Sequence, residues 1–388
     1  MKKILFVTNK LVTGGMEVAL LQTVKFLKSY NFDITVAIAN QGGDLLEDFK
    51  EICTIKDLSM QYSRAYVNKT SLINNIKKFQ LFSAARNFCI LFRDGFLSYF
   101  SKKKKIAQRM LDDPIEYDIA IAYATPYTSY VPYVVEKIKA KQKIAWVQLD
   151  VTSYLSNIDM SDFEKCYFKL DTIVCDSKPS KESFISRHPS LAEKTIVIHN
   201  PIDVEKIHEK SQKTIDVTRT EKEILICSVG RLNYIKGFDM AISAHKLLKD
   251  RGYYLKWMLC GSGDEINNLK IDIQNNGLVN EFILLGNQKN PYKYINAADI
   301  YVQPSRTESY CITLAEARVL KKPIVTTNFP CACEHVIDGH NGFICEMTPE
   351  SIADAIEKLI LSPELREKFS QNTTPVDSDY SKLKELFN

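Results

Sequence analysis

The sequence predicts an α/β protein with two doubly wound parallel sheets, and three observations lead to this prediction. The chain has 388 residues, more than a single hydrophobic core of about 250–300 residues accommodates. Short apolar runs of the kind found in parallel strands alternate with helical patterns along the chain. The same alternation starts afresh at residue 224. Two domains of similar size are therefore expected.

The first strand, turn, helix and second strand occupy the N-terminal residues. The apolar run Ile4–Val7 predicts a strand that is covered on both faces, and Thr13-Gly14-Gly15 predicts the turn. Apolar residues at helical spacing predict a helix over Glu17–Leu27, and Ile34–Ile38 predicts the second strand. This βαβ order is typical of a Rossmann-like sheet.

The later strands follow from similar runs. In the first half we expect strands at Asp118–Ala122, Lys143–Val147, Thr172–Cys175 and Thr195–Ile198. In the second half we expect them at Ile224–Val229, Leu255–Cys260, Phe282–Leu285, Ile300–Val302 and Pro323–Thr326. The predicted N-terminal domain is 1–200 and the C-terminal domain 201–374, with 375–388 packing back on the first domain. Such sheets bind ligands at the carboxyl ends of their strands, so a cleft between the domains is the expected site.

The net charge of +4 is concentrated in one segment, because residues 71–110 carry nine basic side chains and one acidic one, Asp94. Aromatic side chains are interleaved with these cations at helical spacing. This pattern predicts a helix lying on an anionic membrane surface. A buried aromatic face with a solvated basic face explains the pattern equally well, and nucleic acid is not expected because no recognition motif accompanies the charge.

Several classes of protein are disfavoured. The apolar runs are far shorter than the about 20 residues of a membrane-spanning helix, and the N-terminus lacks the apolar stretch of a signal peptide. Neither the ten cysteines nor the six histidines have metal-ligand spacing. The sequence Gly261-Ser262-Gly263 begins a dinucleotide fingerprint, but Ile266 stands where its third glycine should be. We therefore expect a reduced cytoplasmic protein without a metal or a nicotinamide cofactor.

A candidate anion site follows the strand Ile224–Val229. Gly230 allows a sharp turn, and Arg231 and Lys236 then lie near the carboxyl end of the strand. A guanidinium and an ammonium group at this position suit phosphate oxygens. The alternative is a surface turn with two solvated basic residues.

The stretch from Pro304 to Ala317 adds a second part to this candidate site. It opens a helix whose free N–H groups, around Cys311–Thr313, suit a diphosphate. Glu316 lies about one turn further along, where it can hold the two hydroxyls of a ribose. Glu308 precedes the helix and can hold sugar hydroxyls.

Together these motifs resemble one known family. The sequence contains Gly-Arg-Leu-x-x-x-Lys-Gly from Gly230, Gly261-Ser262-Gly263, Leu285-Gly286, and Pro-Ser-x-x-Glu-x7-Glu from Pro304. With Val197–Asp203 and the early Gly14-Gly15 turn, this order is similar to the GT-B retaining glycosyltransferases of family GT4 (glycosyltransferase group 1), of the bacterial cell-surface polysaccharide type. The resemblance implies a GT-B fold, with two Rossmann-like domains facing each other across a cleft.

The resemblance also implies roles for individual residues. Arg231 and Lys236 are expected to hold the donor diphosphate, Glu316 the ribose and Glu308 the transferred sugar, while Asn287 and Gln288 frame the base. The expected donor-binding set is Gly15, Arg231, Lys236, Gly261, Asn287, Gln288, Glu308, Tyr310, Cys311, Ile312, Thr313 and Glu316. The expected catalytic set is Glu308, Asp150, Arg231 and Lys236.

The sequence departs from the family pattern in the N-terminal domain. Many members have a histidine at the end of one strand, whereas the matching segment here, Asp118–Pro126, has none. In Ala145–Asp150, Gln148 replaces another histidine while Asp150 remains. Asp150 is the candidate acceptor-side carboxylate, and a helix N-cap or surface acid is the alternative.

The implied function is transfer of a hexose, with retention, from a nucleotide diphosphate sugar, with UDP as the expected nucleotide. The expected acceptor is a saccharide or an undecaprenyl-diphosphate-linked saccharide in polysaccharide assembly, reached at the inner face of the cell membrane through residues 71–110. No cofactor is expected. The alternatives are a nucleotide-sugar 2-epimerase on the same scaffold and a catalytically silent glycosyltransferase-like partner subunit.

Overall fold

The computed structural model describes residues 1–66, 83, 87–90, 99–123, 128–151, 161–220, 222–374 and 380–387. The chain forms two compact units, Met1–His199 with Ser381–Asn388, and Asn200–Tyr380. Each unit is built around one parallel sheet. The α/β class predicted from the sequence is therefore confirmed.

The first unit contains a seven-stranded sheet in the order β3-β2-β1-β4-β5-β6-β7. Its strands are β1 Lys3–Thr8, β2 Asp33–Ile38, β3 Thr54–Asp57, β4 Glu116–Ala122, β5 Lys139–Val147, β6 Thr172–Cys175 and β7 Thr195–Val197. Every neighbouring pair is parallel. The strand order reverses between β1 and β4, which makes that junction the topological switch point of the sheet.

The second unit repeats this architecture with six strands in the order β10-β9-β8-β11-β12-β13. Its strands are β8 Ile224–Val229, β9 Leu255–Cys260, β10 Phe282–Gly286, β11 Ile300–Gln303, β12 Ile324–Thr327 and β13 Gly342–Cys345. The switch point lies between β8 and β11, where the buried hydroxyl of Ser228 donates a hydrogen bond to the Val302 carbonyl at 2.6 Å. Ile226 and Tyr301 are fully buried in this part of the sheet.

Helices connect the strands and cover the sheets. They are α1 Gly15–Ser29, α2 Leu46–Lys50, α3 Ser59–Ala65, α4 Tyr99–Arg109, α5 Tyr130–Lys137, α6 Ser161–Tyr167, α7 Lys178–Arg187, α8 Val204–Ser211, α9 Phe238–Asp250, α10 Ile266–Asn275, α11 Tyr292–Ala297, α12 Ile312–Val319, α13 Pro349–Leu361, α14 Pro363–Asn372 and α15 Ser381–Phe387. Short 3-10 turns lie at Pro189–Lys194, Tyr234–Lys236 and Ala332–Glu334. None of the helices described here is long and apolar enough to cross a membrane.

The last helix belongs to the first unit. Phe387 of α15 packs on Phe6 of β1, with ring centroids 6.3 Å apart. The Lys2 ammonium group donates a hydrogen bond to the Phe387 carbonyl at 3.3 Å. Both phenylalanines are fully buried, so apolar burial attaches the end of the chain to this sheet. The preceding residues 375–379 lie outside the described residues.

Candidate active site

The candidate site lies at the switch point of the second sheet. Strands β8 and β11 are neighbours, with Ile226 paired to Ile300 and Cys227 to Tyr301. From β8 the chain continues through α9 to β9 on one side, and from β11 it continues through α12 to β12 on the other. The loops 230–237 and 304–311 therefore part at the carboxyl ends of two adjacent strands, which is where doubly wound sheets bind ligands.

These two loops are packed directly against each other. Gly237 has a φ of +67°, and a Cβ atom there would lie 2.0 Å from the Pro304 carbonyl oxygen. The Arg306 amide donates to the Ile235 carbonyl at 2.7 Å. The Arg306 guanidinium binds both carboxylate oxygens of Asp239, at 2.8 and 2.6 Å. A left-handed glycine and a bidentate ion pair thus hold the loops together.

The glycine after β9 has a similar packing role. Gly261 has a φ of +155°, and a Cβ atom at this position would lie 1.9 Å from the Gly230 carbonyl oxygen. Its amide donates to the Gly286 carbonyl at 2.8 Å, and the Gly230 amide donates to the Cys260 carbonyl at 3.0 Å. Gly261, which the sequence predicts to bind the donor, therefore joins the loops that follow β8, β9 and β10.

The structure brings two of the predicted catalytic residues into direct contact. The Lys236 ammonium nitrogen lies 2.5 Å from Oε1 of Glu308, and their side chains are 23% and 10% exposed. The hydroxyl of Ser305 donates to the same carboxylate oxygen at 2.7 Å. Oε2 of Glu308 makes no hydrogen bond with another described residue, so that oxygen is available to a substrate hydroxyl.

A buried chain of hydrogen bonds fixes the Glu308 carboxylate. Gln303, which is fully buried, accepts at Oε1 from the Tyr301 hydroxyl at 2.9 Å and from the Thr313 hydroxyl at 3.0 Å. Its amide nitrogen donates to Ser305 at 2.8 Å, and Ser305 donates to Glu308. A connected network of buried hydrogen bonds of this kind is rigid. The contribution of Gln303 was not predicted, because its only sequence signal is a polar residue ending an apolar strand.

The guanidinium group of Arg231 is exposed. It makes no ion pair or hydrogen bond with the residues that the structure describes. Arg231 follows β8 directly, on the loop that also carries Lys236. Its charge therefore remains open to an anionic ligand.

The N-terminus of α12 offers free backbone donors. Cys311, the N-cap residue, has a φ of 65° and a ψ of 69°, a left-handed conformation that costs a residue other than glycine about 1 kcal/mol or more. Among the described residues, no hydrogen bond uses the N–H groups of Cys311, Ile312 and Thr313. Together with the helix dipole, these donors favour an anion.

Glu316 lies in the same helix but in different surroundings. Its side chain is buried, and the Tyr292 hydroxyl donates to Oε1 at 3.1 Å. Burial raises the pKa of the Glu316 carboxyl group to about 7, against the opposing effects of Tyr292 and of the positive charge of Lys206. Neither Tyr292 nor Lys206 was predicted to contribute, because they come from α11 and α8.

The residues predicted to frame the base follow β10. Gly286 ends this strand with a φ of +69°. Asn287 is exposed, and Gln288 is half-buried, with its amide nitrogen donating to the Leu285 carbonyl at 2.6 Å. The structure thus places both residues on the loop beside Gly261.

No three His, Cys, Asp or Glu side chains of the described part of the chain are arranged to hold a metal ion.

Gly15 and Asp150 lie in the first unit. Gly15 begins α1, after Gly14 in an extended conformation. Asp150 is buried and accepts a hydrogen bond from the Ser183 hydroxyl at 2.7 Å, so it is not a surface acid. The N-cap alternative concerns residues 152–160, which lie outside the described residues.

Two polar residues of the first unit are linked where the family pattern has histidines. The buried Gln148 amide donates to the Tyr123 hydroxyl at 2.9 Å. Tyr123 follows β4 and packs against Trp146, with ring centroids 5.5 Å apart. The segment matching the absent histidine continues into residues 124–126, which are not described.

Comparison with known proteins supports the predicted family. Residues 209–375 match the model of the glycosyl transferases group 1. The capsular polysaccharide biosynthesis glycosyltransferase CapM of Staphylococcus aureus is 30% identical over 177 residues, or 44% of each chain. The N-acetylgalactosamine-N,N'-diacetylbacillosaminyl-diphospho-undecaprenol 4-alpha-N-acetylgalactosaminyltransferase of Campylobacter jejuni is 26% identical over 220 residues, or 56% of this chain and 58% of the relative. The chain thus spans about half the length of the curated relatives it matches.

Solved structures resemble the whole chain. The crystal structure of Anabaena HepE in complex with UDP and glucose has a TM-score of 0.71 with this chain at 17% identity, covering 100% of this chain and 99% of HepE. A glycosyltransferase from Rickettsia africae has a TM-score of 0.70 at 19% identity, covering 100% and 97%. Because these sequence identities are only 17% and 19%, the similarity to the solved structures concerns the fold alone. The predicted GT-B class is confirmed, and so is the resemblance to glycosyltransferase group 1, over residues 209–375.

Proposed function

We propose that this chain, whose residues 209–375 match the model of the glycosyl transferases group 1 and whose fold is GT-B, is a retaining hexosyltransferase. Its donor is a nucleoside diphosphate sugar. The main support for the proposal is the ion pair between Lys236 and Glu308. It joins two adjacent loops of the unit that also contains the free N–H groups of α12. Cations with N–H donors suit a diphosphate, and a fixed carboxylate suits the sugar.

Each residue of this site has a distinct role in the proposal. Arg231, Lys236 and the N–H groups of residues 311–313 bind the two phosphates. The Glu316 carboxylate accepts hydrogen bonds from the ribose hydroxyls, and Asn287 with Gln288 borders the base. UDP is the proposed nucleotide, supported by the fold that the chain shares with the UDP complex of HepE.

The chemistry follows from these charges. The bond between the anomeric carbon and the diphosphate oxygen breaks, and the acceptor oxygen bonds to the same face of the anomeric carbon. The acceptor proton passes to a phosphate oxygen of the departing diphosphate. Positive charge grows on the sugar during this step, and the Glu308 carboxylate stabilises it. Arg231, Lys236 and the helix dipole stabilise the leaving diphosphate without a metal ion or another cofactor.

The proposed acceptor is a saccharide or lipid-diphosphate-linked saccharide of cell-surface polysaccharide assembly. The printed names of the Staphylococcus aureus and Campylobacter jejuni relatives support this class. Asp150, buried after β5 and held by Ser183, is the proposed carboxylate on the acceptor side.

We also propose that α4 contributes to binding the anionic surface at the inner face of the cell membrane. Ile106 and Ala107 of this helix are buried, while Lys102 and Lys105 are exposed. Lys104 is only 3.5 Å from Glu136, so its charge is partly neutralised. Most of the remaining basic segment, 71–98, lies outside the described residues.

Vesicle sedimentation tests the membrane proposal. Replacing Lys102 and Lys105 with Gln should reduce binding to phosphatidylglycerol vesicles, because each lysine near such a surface contributes on the order of 1 kcal/mol. Replacing the exposed Lys139 and Lys178 removes the same charge elsewhere on the first unit and should have less effect. Equal effects of the two pairs would reject α4 as the binding face.

A transfer assay tests the proposed activity. The protein is incubated with a panel of UDP-sugars and lipid-linked saccharides, and UDP release is followed with and without acceptor. Release that requires acceptor, with the anomeric configuration of the donor retained in the product by NMR, is the expected result. Conversion of the UDP-sugar to its 2-epimer without acceptor would favour the epimerase alternative. Nucleotide binding without any turnover would favour a silent partner subunit.

A further inference from the structure

The loop that carries Glu308 is hydrogen-bonded to residues 331–335. The imidazole Nε2 of His335 is hydrogen-bonded to the Tyr310 carbonyl oxygen. Since a carbonyl oxygen only accepts, Nε2 carries the proton and donates. The thiol of Cys331 donates to the Glu308 carbonyl at 3.5 Å. His335 is 3% exposed and Cys331 is fully buried, so both contacts are shielded from water.

The side chains add a second contact at the same place. The rings of His335 and Tyr310 pack edge to face, with centroids 4.8 Å apart and planes at 64°. The Asn341 side chain donates to the His335 carbonyl at 3.2 Å and accepts from the Ile337 amide at 2.7 Å. These bonds fix the backbone that carries His335, and through it the position of the Tyr310 carbonyl.

The orientation of that carbonyl determines the direction of one N–H group. The Tyr310–Cys311 peptide is trans, so its carbonyl and the Cys311 N–H point in opposite directions. A carbonyl directed at His335 therefore turns the Cys311 N–H away from His335. That N–H makes no hydrogen bond with a described residue. Cys311 also lies close enough to Glu308 and Lys236 for both charges to act on its thiol.

We propose that His335 is a positioning residue, which turns the Tyr310–Cys311 peptide so that the Cys311 N–H is presented to a diphosphate. This inference rests on the proposed function of the site. His335 itself does not touch the ligand. Its hydrogen bond stabilises the left-handed backbone of Cys311, which without support is unfavourable for a residue other than glycine.

The test compares UDP with uridine, because only UDP carries the phosphates. His335→Phe keeps an aromatic ring but loses the donor, so UDP should bind about tenfold more weakly while uridine binds as to the parent. His335→Gln keeps an N–H donor and should recover part of the loss. His245→Phe is the matched control, since His245 is a buried histidine of the same unit packed between Trp257 and Phe282. It should bind UDP like the parent.

Isothermal titration calorimetry separates the possible outcomes. Equal weakening of UDP and uridine in His335→Phe, or unchanged UDP binding, would overturn the inference while leaving the proposed function intact. A parent protein that binds no nucleoside diphosphate would overturn the proposed function, and this inference with it. A second measurement needs no variant: the amide proton resonance of Cys311 should move on adding UDP to the parent. An unchanged resonance in UDP-saturated protein would contradict the role of His335.

Discussion

Lys236 and Glu308 form a 2.5 Å ion pair between two loops that are separated by 72 positions in the sequence. The same Glu308 oxygen accepts a hydrogen bond from Ser305, whose own position is fixed by Gln303. The pair therefore orients the carboxylate before any donor binds. It also places the cation proposed for the diphosphate beside the carboxylate proposed for the sugar.

Replacing Glu308 with Gln should mainly lower kcat. The carboxylate stabilises the positive charge that grows on the sugar, so its loss affects the transition state more than the bound donor. We expect a decrease in kcat of about 10²–10³-fold with a donor KM near that of the parent. Steady-state kinetics measures both parameters, and circular dichroism confirms folding. A normal kcat with a raised KM would mean that Glu308 only positions the donor.

Glu316 should make donor binding depend on pH. Its buried carboxyl group has a pKa of about 7, and only the ionised form accepts hydrogen bonds from both ribose hydroxyls. The affinity for a UDP-sugar should therefore rise as the pH increases through 7, by about tenfold between pH 6 and pH 8. A UDP-sugar is the suitable probe because its diphosphate has no ionisation in this range.

Glu316→Gln provides the comparison for this pH dependence. Gln cannot ionise, so the variant should bind the donor more weakly and nearly independently of pH, and its KM should rise more than its kcat falls. A parent whose affinity is flat from pH 6 to pH 8, or a variant that keeps the slope, would contradict the role given to Glu316.

Gly237→Ala should destabilise the second unit. The new Cβ atom would lie 2.0 Å from the Pro304 carbonyl oxygen, so the loops must separate. We expect a loss of more than about 2 kcal/mol in the free energy of unfolding. Gly277→Ala is the matched control, because Gly277 has a φ of +65° but no atom within 4 Å of the added Cβ. Chemical denaturation of both variants measures the difference, and equal losses would show that the close contact is unimportant.

His245 should make the second unit less stable in acid. Burial lowers the pKa of this imidazole to about 3, and the positive charge of Lys249 acts in the same direction. The Glu281 carboxylate, 3.7 Å from Nε2, favours the charged form, but burial outweighs it. The unfolded chain binds a proton below pH 6.5 and the folded chain does not, so stability is lost as the pH falls through this range.

The expected loss is about 2 kcal/mol between pH 7.5 and pH 5. His245→Phe should lack this part of the pH dependence. Denaturation curves at the two pH values, followed by tryptophan fluorescence, give the comparison. The same pH dependence in parent and variant would show that His245 is not responsible.

The sequence predicted the central strands because they are covered on both faces and appear as continuous apolar runs. It missed β3 and β13, which lie at the edges of the two sheets. The β3 residues, Thr54–Asp57, are exposed or half-buried, so they form no apolar run. Helix α8, which the Asp203 side chain caps, was likewise not predicted, because its two turns contain few apolar residues.

In the site, too, the residues marked by a local sequence motif were predicted, whereas those brought in by packing were not. Motif spacing predicted Lys236, Glu308 and Glu316, because these residues occupy the loops and the helix at one switch point. It did not predict Tyr292 or His335, which reach the site from other elements. Their contribution depends on how α11 and the turn before Ile337 pack, and no local sequence pattern encodes that packing.

Titration of UDP into the parent and Arg231→Ala proteins tests directly whether these loops bind a diphosphate. Arg231 is exposed and makes no hydrogen bond or ion pair with the described residues, so its removal should leave the fold unchanged. We expect the variant to bind UDP more weakly by about 1.5–3 kcal/mol. Lys270→Ala, which removes an exposed cation from α10, should bind like the parent. Parent-like UDP binding by Arg231→Ala would contradict the assignment of these loops as a diphosphate site.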